Sequence, residues 1–366
     1  MSFRLFDAMA REGFEAVHAV HDAASGLRAV VALHDTSAGP AFGGVRRWDY
    51  ASENAALLDC LRLARAMTWK CVLADLPAGG AKTVVLDRGD LDLEAAYRHL
   101  GRFVESLGGR HYTGPDVNTG ESELGWLASE TRYATDPGPD GPRELSDATA
   151  AGVFAGIAAA LEQLDGQTDW TERRIVVQGL GAVGARLARR LREAGATVIA
   201  SEIDAEHGEQ VADELDLELV EPGSELGVPC DVFSPNALGG LLHDLSIPRL
   251  QTRAVCGGAN NVLASSIHGL RLHERGVLFV PDFVVSCGAL VRGVLFHTHG
   301  VREPVDAIER RIHASARDLL TLAEERGAAP SAVAIDEARA RVEARRQRSG
   351  AVDAAQDPLA LPRSER

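Results

Sequence analysis

Apolar positions change their period several times along the chain, and each change marks an element. Ala16-Val-His-Ala-Val-His21 and Leu27-Arg-Ala-Val-Val-Ala-Leu33 are short apolar runs on either side of Asp22 to Gly26, which predicts two strands joined by a turn. Phe42-Gly-Gly-Val-Arg-Arg47 reads as a glycine loop. Ser52, Glu53 and Asn54 begin a helix whose apolar residues (Ala55, Leu58, Leu61, Leu63, Ala64) recur as far as Lys70. A turn over Pro77 to Gly80 leads into the strand Thr83-Val-Val-Leu86, and Leu93 to Leu107 is an amphipathic helix stopped by Gly108-Gly109.

The second half alternates more regularly. A small-residue helix over Ala148 to Leu164 precedes a strand at Arg174 to Gln178, a helix over Ala185 to Ala194 and a strand at Thr197 to Glu202. Short apolar strands then end in polar, glycine-containing loops near Cys230 and Ala254, and a last strand and loop span Val277 to Gly288. Helices are expected over Val305 to Glu325 and Ile335 to Gln347, with a frayed polar tail from Ser349. Alternation of this kind predicts α/β architecture. The linker Pro137 to Pro142 divides it into two domains, 1–140 and 141–330, with a cleft between them and the C-terminal helices 331–366 packing back on the first.

Composition narrows the partners. A net charge of −15 opposes nucleic acid binding, and no apolar run approaches the ~20 residues of a membrane span. The N-terminus lacks the apolar core of a signal peptide, and five scattered cysteines without metal spacing suit reduced thiols in a cytoplasm. His297 and His299 are too few for a metal site, so none is expected.

Two stretches carry chemistry. In the first, Lys70 and Lys82 flank the Pro77–Gly80 turn, and Gly79-Gly80 would let the backbone approach a ligand. A lysine in so crowded a place has its charged form disfavoured, the condition of a general base. Asp116, held by Pro115, is a polar loop tip 34 residues after Lys82. In the second, a strand enters Gly179-Leu-Gly181-Ala182-Val183-Gly184 and a helix leaves it. Glu202 stands at the end of the following strand, with Asp204 as the alternative acid. Glycines for the tight turn, a helix N-terminus for a pyrophosphate and an acid for the ribose hydroxyls make a Rossmann dinucleotide site, and the acid favours NAD over NADP.

Met67-Thr-Trp-Lys70 followed by Gly79-Gly-Ala-Lys82 resembles the amino-acid dehydrogenases of the glutamate/leucine/phenylalanine/valine family, and the match runs from about Phe42 to the C-terminal helices. The resemblance implies that Lys70 binds the substrate carboxylate, that Lys82 is the catalytic base and that Asp116 is the second catalytic group. It places Gly44 and Gly114 at the substrate. It sets Arg46, Thr149, Ala237, Asn260 and Asn261 with Gly179, Gly181, Ala182, Val183 and Gly184 at the cofactor. The implied reaction is reversible oxidative deamination: L-amino acid, NAD and water give a 2-oxo acid, ammonia and NADH, in a homo-oligomer.

One position departs from the pattern. Where the family has asparagine before Ala/Ser-Gly-Gly, this chain has Ser286-Cys-Gly-Ala289, one hydroxyl in place of an amide. That keeps open a silent NAD or amino-acid binding protein; separately, a reductase of a 2-oxo acid or preformed imine is the enzymatic alternative. Gly114, the likeness of His111-Tyr-Thr-Gly-Pro-Asp116 to phenylalanine dehydrogenases and the small residues Ala314 and Ala316 point to a large apolar or aromatic substrate.

Overall fold

The computed structural model describes residues 4–135 and 138–356. Pro137, the first residue of the expected linker, and residues 357–366 of the expected C-terminal segment lie outside the described residues. The chain forms two compact units, Met1–Arg143 with Ala338–Arg366, and Glu144–Glu337.

The first unit contains α1 (Leu5–Glu12), β1 (Ala16–Asp22), β2 (Leu27–Leu33), β3 (Ala41–Trp48), α2 (Glu53–Leu73), β4 (Gly79–Leu86), α3 (Leu93–Ser106), β5 (His111–Gly114) and α4 (Glu121–Ala128). The strands form one mixed sheet in the order β1-β2-β4-β3-β5. β1 and β2 are antiparallel, as are β2 and β4, whereas β3 runs parallel to β4 and β5. Side chains alternate between the faces. Ala81 and Val85 of β4 join Val45, Tyr97, Leu100 and Leu127 in a core beneath α3 and α4. Val84 and Leu86 point the other way, to Cys60, Leu61 and Ala64 of α2. Lys82 therefore belongs to the α2 face of a strand buried along its whole length.

Phe42 to Arg47 is strand, not loop. A Cβ on Gly43 would sit 1.8 Å from the carbonyl oxygen of Ala81, so glycine is required there by the close neighbouring strand. Gly79 and Gly80 likewise open β4 rather than complete a turn. Their missing side chains make room for the carbonyl of Asp35 and the amide of Thr68, not for a ligand.

The second unit contains α5 (Leu145–Asp165), β6 (Arg174–Gln178), α6 (Gly184–Glu193), β7 (Thr197–Ser201), α7 (Ala205–Leu215), β8 (Glu218–Leu219), β9 (Cys230–Pro235), β10 (Thr252–Val255), α8 (Ile267–Glu274), β11 (Leu278–Phe279), α9 (Asp282–Val285), α10 (Gly288–His299) and α11 (Val305–Glu325). Its parallel sheet has the order β11-β10-β9-β6-β7-β8. Counted within the unit this is 6-5-4-1-2-3, the doubly wound Rossmann arrangement. Val176, Phe233, Val255, Leu272 and Phe279 fill its core. By length and hydropathy α5 is a helix able to cross a membrane, a feature missing from the composition reading. Its apolarity is used internally: 67% of its most apolar window is buried, and Gly152 and Gly156 let it close on Val285.

α12 (Pro330–Gln356) is one helix, longer than its expected span. The division between the units falls inside it, at 337/338 rather than 330/331. Its first turn belongs to the second unit because Gly269, lacking a side chain, receives Ser331 there. Its later residues return to the first unit. Arg345 donates to the carbonyls of Leu76 and Ala78, and Arg346 to those of Gly13 and His34 and to the fully buried Asp35.

Candidate active site and dinucleotide cradle

Three charged side chains meet on the first unit's sheet. Lys82 Nζ lies 2.6 Å from Asp116 Oδ2, and Arg46 Nε donates to that same oxygen at 3.0 Å. Lys82 is 5% exposed. Asp116 reaches it because β5 ends at Gly114 and Pro115 turns the chain over β3. A Cβ on Gly44 would collide with Pro115 O and press on Asp116 Cβ, so Gly44 is the seat of the loop, and its free face is used by protein instead of substrate. The loop is then fastened: Arg47 N–H donates to Val117 O, Arg47 Nε to Asn118 O, and Asn118 Nδ2 to Arg47 O. Asn118 takes a left-handed φ of 57° to allow this.

Electrostatics follow from the geometry. Burial works against ionisation of Asp116, but the charges and hydrogen bonds of Lys82 and Arg46 outweigh it and hold the carboxyl down to about 2. It is an anion at neutral pH, in direct contact with the Lys82 ammonium. Burial, helped by the Lys82 charge, pushes His111 down to about 4. Its Nδ1 faces the Ala41 carbonyl at 3.2 Å and so carries the proton, leaving Nε2 to accept from Thr83 Oγ1 at 3.3 Å.

Lys70 is buried in the last turn of α2. Gly80 brings that turn and β4 into backbone contact, since a Cβ there would strike Thr68 N. Gly114 leaves less room than its sequence suggested: a Cβ would stand 3.1 Å from Thr135 Oγ1. Arg46, expected at the cofactor, is turned to Asp116 and Asp59 in the first unit. Its partner Asp59, and Tyr50, whose hydroxyl donates to Asp59, were missed from the sequence, because nothing in the spacing 46–50–59–116 signals that they meet.

The glycine turn of the second unit shows three different needs. Gly179 has φ +87°, a left-handed conformation suited to glycine. Gly184 packs so closely that a Cβ would be 1.9 Å from Gly179 O. Among the described residues nothing lies within 4 Å of the place a Cβ on Gly181 would occupy, which leaves its backbone open at the N-terminus of α6. Ala182 and Val183 complete this turn, and Val183 caps the helix. Open amides at a helix N-terminus fit a pyrophosphate. Glu202 follows β7, with Oε2 accepting the Leu180 amide at 2.6 Å and Oε1 those of Ile203 and Asp204. Asp204, the alternative acid, is occupied as the N-cap of α7.

Ala237 packs against Gly179. Asn261 adopts φ 54° and its backbone N–H donates to the buried Asp282 carboxylate, beside Asn260, whose backbone carbonyl approaches Gly239. The Thr149 hydroxyl donates to Leu145 O and accepts from Ala289 N, tying α5 to the start of α10. Ser286 is buried at the joint between α9 and α10.

Two family models match parts of the chain. Residues 14–133 match the model of the Glu/Leu/Phe/Val dehydrogenase dimerisation domain, and residues 141–206 that of Glutamate/Leucine/Phenylalanine/Valine dehydrogenase. Leucine dehydrogenase of Thermoactinomyces intermedius is 38% identical over 79% of this chain and 80% of its own length. Phenylalanine dehydrogenase of Caldalkalibacillus thermarum is 37% identical over 80% of each. The crystal structure of L-tryptophan dehydrogenase from Nostoc punctiforme superposes with a TM-score of 0.81 at 33% identity, covering 93% of this chain and 99% of that one. The chain belongs to the glutamate/leucine/phenylalanine/valine dehydrogenase family and is an NAD-dependent amino-acid dehydrogenase.

Proposed function

We propose that the enzyme catalyses reversible oxidative deamination of a large apolar or aromatic L-amino acid. The observation that carries this is the buried Lys82–Asp116 pair at 2.6 Å, two groups able to move protons at a reacting carbon and nitrogen. Bound NAD would lie with its pyrophosphate on Gly179–Gly184 and its ribose at Glu202, and it supplies acceptance of the Cα hydride. The chain's own residues do the rest. Lys70 holds the substrate carboxylate as a point charge. Lys82 activates the water that attacks the substrate carbon after oxidation, and Asp116 takes and returns protons at the substrate nitrogen.

Register supports an apolar substrate. Phe42 is paired with Gly80 and with Tyr112, so by alternation Phe42, Tyr112 and Lys82 share one face of the sheet. The two rings stack at 4.9 Å and 9°, giving an apolar floor beside the lysine. The relatives, leucine, phenylalanine and tryptophan dehydrogenases, agree with that floor. Self-association through the first unit, matched by a dimerisation-domain model, and a cytoplasmic setting complete the reading.

A panel of L-amino acids with NAD, followed by nicotinamide absorbance, tests it. Leu, Phe or Trp should be oxidised faster than Glu or Ala, with contrasts among apolar substrates of ~1–3 kcal/mol per methylene. Glutamate as the fastest substrate would refute the substrate class. Oxidation of no amino acid at all would favour the silent binding protein that Ser286 in the asparagine position motivates, and reduction of a 2-oxo acid without ammonia would establish the reductase instead.

A further inference from the structure

Behind the catalytic pair lies a charged network that the reaction as described does not use. Lys82 Nζ and Arg46 Nε both bind Oδ2 of Asp116, at 2.6 and 3.0 Å. With two charged donors on one oxygen, Oδ1 is the oxygen left to address substrate, and exchanging the two would break two charge-assisted bonds. Arg46 is itself seated. Its Nη1 donates to Asp59 Oδ2 at 3.1 Å, and the Tyr50 hydroxyl donates to that oxygen at 2.7 Å. Arg62 Nη2 holds Asp59 Oδ1 at 2.7 Å. The side chains of Arg46 and Asp59 are each 17% exposed, and that of Asp116 15%, so water competes little for these bonds. A planar guanidinium can serve two carboxylates along different edges at once, which an ammonium cannot do in a fixed plane.

We propose that Arg46 is a positioning residue of the deamination: seated on Asp59, it locks Asp116 with Oδ2 on Lys82 and Oδ1 turned to the substrate nitrogen. The inference deepens the reaction proposed above and rests on it. A proton leaving that nitrogen bonds to Oδ1 and goes back to it in the reverse direction, while Arg46 keeps all its own protons.

The test uses the full-length enzyme with its best amino acid and NAD. Arg46→Gln should lower kcat about 10²-fold, the smaller end of what acid–base groups contribute, with KM and NAD affinity within about threefold of wild type. Arg46→Lys should recover only part of this loss. Asp59→Asn, which loosens the seat while leaving Arg46 in place, should cost roughly tenfold in kcat, and it carries the test if Arg46→Gln does not fold. Because Arg46 acts through Asp116, adding Arg46→Gln to Asp116→Asn should change kcat less than about threefold further. Wild-type kcat in both Arg46→Gln and Asp59→Asn, or losses that multiply in the double variant, would overturn the proposal. A wild-type enzyme that oxidises no amino acid would instead refute the reaction itself.

Discussion

Gly181 and Gly184 lie three residues apart in one turn, yet alanine at each should fail, or succeed, for opposite reasons. At Gly184 a Cβ stands 1.9 Å from Gly179 O, about 1.5 Å short of the 3.4 Å at which ordinary contact begins. The obstacle is backbone, so α6 must move off β6, and overpacking of this kind costs roughly 1–3 kcal/mol. For a unit of this size each kcal/mol is about 2–4 °C in Tm, so Gly184→Ala should melt about 2–12 °C lower. Gly181 lies outside the left-handed region and a Cβ there meets nothing. Gly181→Ala should therefore melt at or slightly above wild type, since alanine lowers the entropy of the unfolded chain by ~0.4–1 kcal/mol. Its cost falls on the ligand: a methyl where the pyrophosphate must approach is worth about 1–3 kcal/mol, roughly 5- to 150-fold in Kd for NAD. Calorimetry of the two variants, with NAD titration followed by fluorescence, separates the effects. If Gly181→Ala binds NAD like wild type, or melts lower than Gly184→Ala, the assignment of the cradle is wrong.

Three further outcomes are expected. Lys82→Ala should lose ~10²–10⁴-fold in kcat with NAD affinity nearly unchanged, and turnover near wild type in steady-state assays would remove Lys82 from the chemistry. With Glu202 fixed by three backbone amides at the end of β7, kcat/KM should favour NAD over NADP by at least about tenfold, a repulsion of ~1.4 kcal/mol, and equal values would place the ribose elsewhere. His34 and His111 are each pushed down to about 4, chiefly by burial, from 6.5. Above 6.5 both are neutral folded or unfolded. As pH falls from 6.5 towards 4 the unfolded chain takes up protons that the folded one refuses, so denaturant stability should decline across that window. His111→Gln should flatten the decline, and an unchanged slope would show that His111 is not its source.

Much of the fold could be read from the sequence where one signal dominated. β2 and α11 occupy Leu27–Leu33 and Val305–Glu325 as expected, because each has a clean apolar period and clear stops. The glycine turn with its flanking strands and helix was legible for the same reason, Gly179 and Gly184 being demanded by local backbone. The errors arose where a local signal served a distant need. Glycine ordinarily punctuates, so Gly43, Gly44, Gly79 and Gly80 looked like loops, whereas the crowding that requires them comes from Ala81, Asp116, Asp35 and Thr68. Arg46 illustrates the same limit in chemistry. Its partners stand 13 and 70 residues away: Asp59 is presented by α2 and Asp116 by the loop after β5, which pairs with β3. Thr149 is bonded within its helix and to Ala289, a bond no spacing rule foretells.

The passage of α12 from one unit to the other bears on how the chain is made. The first unit leaves the sequence at Arg143 and resumes at Ala338. On the ribosome, where segments commit to structure in order of emergence, all of the second unit is available before the first can be completed. Until then the carbonyls of Leu76 and Ala78, at the threshold of β4, lack Arg345, and Asp35 lacks Arg346. The strand bearing Lys82 is thus among the earliest segments synthesised and among the last to be secured. A ribosome that stops short of residue 338 would release a nascent chain with an intact dinucleotide fold and an unfinished reaction centre, a product for proteolysis rather than a partial enzyme.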